Sequence, residues 1–246
     1  MNGIFDRFII AGVAALAVAS PLFAFEGFES DRFDTGSGEL EIIFISHATL
    51  AFRYGGKTIH VDPVSYNADY KKWPKADLIL VTHEHSDHFD KSAIATLSGP
   101  GTTVIIPEPM RSKLDTATVL AVGNSMQAAG ITVEAFPAYN TTPGRDGYHP
   151  KARKDNGYVL SFGSFRVYVA GDTENIPEMA SLAKIDVAFL PMNQPYTMTP
   201  DQAAAAAKAF RPRILYPYHF SSTNTALLPP LLAEEKDIEI RIKKLQ

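Results

Sequence analysis

The stretch "VTHEHSDHFD", Val81 to Asp90, contains three histidines and two aspartates within ten residues. It follows "ADLIL", a largely apolar run typical of a buried strand. His83 and His85 are two residues apart, so at the end of a strand both side chains point to the same face. Asp87 and His88 follow at the turn. Because imidazole and carboxylate groups bind Zn²⁺, and also Mn²⁺ or Fe²⁺, this stretch predicts a metal site.

The composition restricts the ligands of such a site. The chain has 246 residues, no cysteine and a formal net charge of −4. Without cysteine there is no disulfide, no thiolate ligand and no cysteine nucleophile, so any metal must be held by nitrogen and oxygen. The small negative charge gives no indication of nucleic-acid binding, and the expected partner is a small-molecule substrate.

The first residues have the pattern of an export signal. Arg7 precedes the apolar run Phe8 to Ala19, which has the length of a signal-peptide core and is short for a membrane span. We therefore predict a signal peptide over residues 1–24, a periplasmic location and no stable membrane insertion after cleavage. An uncleaved anchor and a buried helix are the alternatives.

The rest of the chain predicts one α/β domain. Residues 25–38 are polar and are interpreted as a linker, and residues 39–246 as the domain. Gly55–Gly56 separates two strand-like runs, as in a hairpin turn. Asp90 is placed to cap a short helix, and Thr199 to Phe210 predicts a helix with an N-cap threonine followed by proline. Strands predominate early and alternate with helices later, which indicates sheets covered by helices.

Three further residues are candidate ligands because of where they lie. Asp172 in "YVAGDT" and His219 in "LYPYHF" each follow an apolar strand, and His149 lies in a long polar loop, residues 139–156. Alone, such residues are more often turn or rim residues. With the histidine cluster they become candidates, since the carboxyl ends of strands in α/β sheets converge.

The motif HxHxDH, together with "SHATLAF", "IHVDPV", "PAYN", "VAGDT" and "PYH", resembles the metallo-β-lactamase superfamily from about residue 39 to the end. The motifs are most similar to the ascorbate-6-phosphate lactonase-like branch, and also to the N-acyl-phosphatidylethanolamine phospholipase D branch. The resemblance implies a four-layer αβ/βα sandwich with two divalent metal ions at one edge, zinc first, with manganese or iron as alternatives.

The resemblance also implies a ligand set of histidines and aspartates. One ion would be held by His83, His85 and a third histidine, the other by Asp87, His88 and His219, with Asp172 as the bridge. Where the family often has the third histidine, this chain has Asn140, a poor zinc ligand, so His149 is taken as the replacement.

Further residues match family positions near the metals. His47 and Asp62 are expected to orient ligands; the alternative is that they are ordinary polar residues at strand ends. Asn140 is placed in the same surroundings. His60 alternates with apolar neighbours and is interpreted as structural or exposed.

The activity implied by the resemblance is hydrolysis. Two ions would activate a water molecule to attack an ester, lactone or phosphoester, and Asp87 would also pass a proton to the leaving group. The segment 145–155 carries four bases and two acids, which favours an anionic substrate bound by Lys151 and Tyr148; the alternative is a solvated loop. An inactive metal-binding protein, suggested by Asn140, and an N-acyl phospholipid phosphodiesterase are the other hypotheses.

Overall fold

Two mixed β-sheets, packed face to face, make up the centre of the molecule. The computed structural model describes residue 25 and residues 27–245. In this part of the chain each sheet has seven strands. The first sheet contains, in spatial order, β1 Glu29–Asp34, β2 Glu39–Ser46, β3 Thr49–Tyr54, β4 Lys57–Val61, β5 Leu78–Leu80, β6 Thr103–Ile106 and β7 Thr118–Val119. The second runs in the reverse order, from β14 to β8: β14 Glu239–Ile240, β13 Ile214–Tyr218, β12 Val187–Pro191, β11 Phe165–Val169, β10 Asp155–Phe162, β9 Ile131–Ala138 and β8 Ser125–Ala128.

Helices cover the outer faces of both sheets. The helices are α1 Lys91–Leu97, α2 Pro200–Phe210 and α3 Leu228–Leu231. Apolar side chains of α1 pack with the outer face of the first sheet, and Phe210 of α2 contacts Tyr168 of the second. The order helix, sheet, sheet, helix confirms the four-layer sandwich. Within the described residues, no helix has the length and apolar character to cross a bilayer.

The local signals for turns and caps are confirmed. The Asp90 side chain accepts hydrogen bonds from the backbone at the start of α1, and Thr199 forms a capping box with Gln202 at the start of α2. Gly55 and Gly56 both have positive φ, +56° and +76°, as a type I′ hairpin requires.

The sheets are held together by aromatic side chains. Phe44 of β2 lies between the sheets against Tyr216 of β13, with ring centroids 5.0 Å apart, and Phe52 of β3 lies against Phe162 of β10 at 6.0 Å. All four are buried, and burial of each such side chain stabilises the fold by about 1.5–3 kcal/mol.

The predicted linker is partly a strand. Residues 29–34 form β1, which pairs antiparallel with β2. The polar composition is that of an edge strand, in which Glu29, Asp31 and Arg32 form ion pairs. Arg32 pairs with Glu39 and Glu41, and Asp31 accepts a hydrogen bond from Lys243. The predicted signal peptide, residues 1–24, lies outside the described residues.

The strand ends bring the candidate residues to one edge of the sandwich. His47 follows β2, Asp62 follows β4, His83 lies just after β5, Asp172 follows β11 and His219 follows β13. Since these carboxyl ends open at the same edge, segments far apart in sequence meet there.

His60 of β4 is buried on the outer face of the first sheet, which makes it structural. Its ring stacks against Trp73, with centroids 5.6 Å apart, and also contacts Tyr70. Neither ring nitrogen has a hydrogen-bond partner among the described residues. Burial lowers the pKa of His60 to about 3, so the folded protein keeps this ring neutral where an unfolded chain protonates it.

We expect His60→Phe to remove part of the acid sensitivity of the fold. Because the pKa is about 3 when folded and about 6.5 when unfolded, stability from the neutral ring is lost as pH falls through this window. Between pH 7 and pH 5 the wild type should lose about 2 kcal/mol more than the variant. Urea unfolding of both proteins at the two pH values measures this. Equal losses would show that His60 does not carry the effect.

Candidate metal centre

Eight histidine and aspartate side chains form three overlapping groups. In each group the candidate ligand atoms lie within 4.8 Å of one another. The groups are His83, His85, His149 and Asp172; His88, Asp172 and His219; and His47, Asp87 and His219. We call the first group site one. Asp87, His88, Asp172 and His219 together are called site two.

Asp172 lies between the two sites. Its Oδ2 is 3.3 Å from His149 Nε2 and 3.8 Å from His83 Nε2, on the side of site one. Its Oδ1 is 3.3 Å from His88 Nε2 and 3.5 Å from His219 Nδ1, on the side of site two. One carboxylate thus faces both sets of imidazoles, which is the geometry of a bridging ligand.

Glycine allows the chain to place this carboxylate. Gly171, directly before Asp172, has φ +66°. A Cβ atom there would lie 2.8 Å from the backbone oxygen of Asn156 and 3.2 Å from Thr82. A side chain at this position would therefore push the strand end away from the histidine cluster.

Asp87 completes site two at the solvent side. Its Oδ2 is 3.2 Å from His219 Nε2 and 3.4 Å from His47 Nε2, and 3.8 Å from His88 Nε2. The side chain is about one third exposed, at 34%, whereas those of His88 and His219 are buried. Asp87 is thus the most exposed member of site two.

A buried carboxylate orients His88. Asp62 Oδ2 is 2.7 Å from His88 Nδ1, and Asp62 also accepts hydrogen bonds from the backbone and hydroxyl of Thr82. The carboxylate holds a proton on Nδ1, so Nε2 is the ring nitrogen that faces Asp172 and His219. Asp62 therefore has the position expected of a residue that orients a metal ligand.

The backbone is strained at three positions around the centre. His47, Asp62 and His219 have φ values of +53°, +47° and +43°, in the left-handed region that non-glycine residues rarely adopt. The backbone N–H of His219 donates to the carbonyl of His47, which ties two of these strand ends together. Such strain is typical of functional sites, where the surrounding structure imposes it.

The surroundings lower the pKa of most of the buried imidazole rings, which favours the neutral form that binds a cation. Burial lowers the pKa of His83 well below its usual value and that of His149 to about 4. Burial also opposes the charged form of His88, but the carboxylates of Asp172 and Asp62 outweigh it and raise the pKa of His88. Burial favours the protonated form of Asp172, yet nearby His219 and His88 hold its pKa well below the usual range.

The residues present fit divalent metal ions. His83 Nε2 and His219 Nδ1 are buried and have no hydrogen-bond partner in the described part of the chain, although both face Asp172. A buried polar atom without a partner is costly, and coordination of a cation would satisfy it. The ligand set of nitrogen and oxygen atoms suits zinc, manganese or iron.

A cleft of about 330 Å³ opens onto the centre. Its lining includes His85, Asp87 and His149 from the two sites, and Tyr148 and Tyr196 form an aromatic wall with ring centroids 4.9 Å apart. This volume is in the range of sites for small molecules.

Comparison with known proteins gives the family. Residues 41–219 match the model of the beta-lactamase superfamily domain. The chain belongs to this family. A UPF0173 protein of Pyrococcus furiosus is 31% identical over 194 residues, which cover 76% of this chain and 86% of that protein. A UPF0173 metal-dependent hydrolase of Thermococcus kodakarensis is 29% identical, over 81% of this chain and 91% of its own length.

A solved structure agrees in fold and in sequence with this member of the β-lactamase superfamily. A protein of Parabacteroides distasonis, whose crystal structure is named as that of a metal-dependent hydrolase, is 51% identical with a TM-score of 0.86. The match covers 89% of this chain and 100% of that chain. These relatives confirm the predicted superfamily, its fold and, at the level of a metal-dependent hydrolase, its function. The lactonase-like branch stays a prediction.

The structure does not support the predicted role of Lys151. Its ammonium group pairs with Glu178 and donates to the hydroxyl of Tyr139, and the residue does not line the cleft. The other three bases of segment 145–155 are also paired with acids: Arg145 with Glu174, Arg153 with Asp155, and Lys154 with Glu108. The excess of positive charge that suggested an anionic substrate is therefore offset within the fold. Tyr148, by contrast, lines the cleft as expected.

Asn140 stabilises the loop and is not among the candidate ligands. Its side chain donates to the carbonyl oxygens of Arg145 and Tyr196, and its backbone N–H donates to that of His149. Asn140 thereby helps to hold His149 against Asp172.

The sequence pattern did not reveal two contacts of the centre. The hydroxyl of Thr82 lies within hydrogen-bond distance of Asp62, His83 and His88, and Arg153 contacts His85 and His149. The only signal for Thr82 is a polar residue at the end of an apolar strand, and Arg153 was indistinguishable from the other loop bases.

We expect Asp62→Asn to weaken metal binding at site two about 10- to 100-fold, the usual effect of losing a partner that orients a ligand. The amide has the shape of the carboxylate but presents N–H to His88 Nδ1, which forces the ring proton onto Nε2. Titration with zinc against a chromophoric chelator measures the affinity. The control is Asp77→Asn, since Asp77 accepts hydrogen bonds from Lys57 and Thr58. Equal affinities in the two variants would contradict the assignment of Asp62.

Proposed function

We propose that this protein is a metal-dependent hydrolase of an ester, lactone or phosphoester bond in a small molecule. The observation that carries the proposal is the buried Asp172 facing imidazoles of two sites, beside a cleft that reaches Asp87 and His149. Two divalent ions, when bound, would acidify a water molecule and polarise the bond to be cleaved. Zinc is the first choice for these ions, and manganese or iron are the alternatives.

The side chains divide the work of binding metal and moving a proton. His83, His85 and His149 would hold one ion, and His88, His219 and Asp87 the other, with Asp172 shared. Asp87 is the exposed carboxylate of the centre and opens to the cleft. In the proposal, the Asp87 carboxylate would accept the proton that the attacking water loses and pass it to the leaving group.

The cleft indicates the size of the substrate more than its charge. Tyr148 and Tyr196 offer an aromatic surface, and Ser86 and Asn193 offer polar groups. The loop bases are paired with acids, so the proposal does not require a negative charge away from the reacting group. A cleft of about 330 Å³ suits a small molecule better than the acyl chains of a phospholipid.

The hypothesis of an inactive metal-binding protein loses its main support. It rested on Asn140 at the family's third-histidine position. His149 Nε2 lies 3.3 Å from Asp172 and is grouped with His83 and His85, so site one has three imidazoles.

A substrate panel tests the proposed function. The purified protein, loaded with zinc or manganese and its metal content measured, is assayed on aryl esters, lactones and phosphodiesters. We expect turnover of at least one class that stops on chelation and returns with metal. Two bound ions without turnover on any class would favour a binding protein.

We expect His149→Ala to lose about one metal ion per chain and the activity with it. The reason is that removal takes away one of the three imidazoles of site one and leaves His83, His85 and the shared Asp172, one ligand fewer for the ion. Metal analysis by mass spectrometry after gel filtration measures the loss. His60→Phe serves as the control, because it removes a buried histidine outside the metal groups. Unchanged metal content in His149→Ala would remove His149 from the ligand set.

A further inference from the structure

One arginine contacts two rings of site one at once. Arg153 Nη1 is 3.2 Å from His85 Nε2, and Nη2 is 3.1 Å from His149 Nδ1. The same guanidinium donates to both oxygens of Asp155. Arg153 is largely buried and Asp155 is almost fully buried, so the ion pair lies inside the site and is shielded from solvent.

These contacts determine which nitrogen of each ring carries the proton. A guanidinium has N–H donors and no acceptor, so His85 Nε2 and His149 Nδ1 must accept with their lone pairs. A neutral imidazole then carries its proton on the other nitrogen. For His149 that nitrogen is Nε2, which faces Asp172 at 3.3 Å. A metal ion needs a lone pair at that same position.

His88 of site two is held in the opposite way. His88 Nδ1 donates to the carboxylate of Asp62 at 2.7 Å, so Nε2 is the nitrogen directed at Asp172 and the cation position. An equivalent acceptor exists near site one, because Asp155 Oδ2 lies 4.0 Å from His149 Nδ1. Arg153 occupies that acceptor in this structure.

We propose that Arg153 competes with the metal ion of site one, so that the two sites load in order, site two first. Binding at site one requires Arg153 to withdraw from His85 and His149. The proton of His149 then moves from Nε2 to Nδ1, and the Nδ1–H group donates a hydrogen bond to Asp155. This makes the carboxylate–imidazole pair that site two already has. The inference rests on the metal ligands of the proposed function and does not depend on the substrate.

Zinc titration of the full chain against a chromophoric chelator tests the inference. The wild type should bind two ions, one tightly and one more weakly. Arg153→Met, which keeps the length of the side chain and removes its charge and donors, should tighten the weaker site about tenfold or more and leave the tighter one unchanged. The matched control is Arg145→Met, because Arg145 lies in the same segment but pairs with Glu174.

The outcomes separate the inference from the proposed function. No zinc binding by the wild type would refute the metal ligands themselves. Two bound ions with an unchanged or weakened second site in Arg153→Met would overturn the competition, and would leave Arg153 as a support for the rings.

A second measurement uses only the wild-type protein, so it does not depend on whether a variant folds. Nitrogen NMR of the histidine rings in the metal-free wild type should show His149 protonated on Nε2, and after zinc loading on Nδ1. A proton on Nδ1 before zinc is added would overturn the proposal.

Discussion

The carboxylate of Asp172 is the constraint on which the centre depends. It is almost fully buried, and imidazoles of His83, His88, His149 and His219 lie within 3.3 to 3.8 Å of its oxygens. A buried carboxylate without such partners would be strongly destabilising. The strand ends that carry these histidines must therefore meet at Asp172, and the position of Gly171 and the strained backbone at His219 are consequences of that meeting.

The two sites have the same kinds of ligand, histidine and aspartate. They differ in the residues that form hydrogen bonds with the histidine rings. Behind His88 stands a buried carboxylate, Asp62, and behind His149 stands the ion pair of Arg153 and Asp155. A neutral imidazole carries one proton, and the hydrogen bonds to its neighbours decide which ring nitrogen holds it. The proposed difference between the sites thus comes from residues that would not themselves touch a metal ion.

The loop over residues 139–156 shows how charge in a sequence can mislead about a substrate. Three of its four bases are paired with Glu108, Glu174 and Glu178, none of which is near the loop in sequence. The same loop contributes His149 and Tyr148 to the cleft. Composition measured along a short segment cannot count acids that the fold brings from elsewhere, whereas the long polar loop itself was a correct sign that the segment belongs to the site.

The sequence by itself determined the features that depend on neighbours along the chain. The histidine motif after a buried strand, the caps at Asp90 and Thr199 and the hairpin at Gly55–Gly56 all follow from short-range geometry, and together with the motif order they identified the superfamily. Only the tertiary structure decided that residues 29–34 form an edge strand, that Lys151 pairs with Glu178 and does not line the cleft, and that Arg153 contacts two of the rings. Such pairings depend on sheet register and on burial between distant segments, and local periodicity carries no information about either.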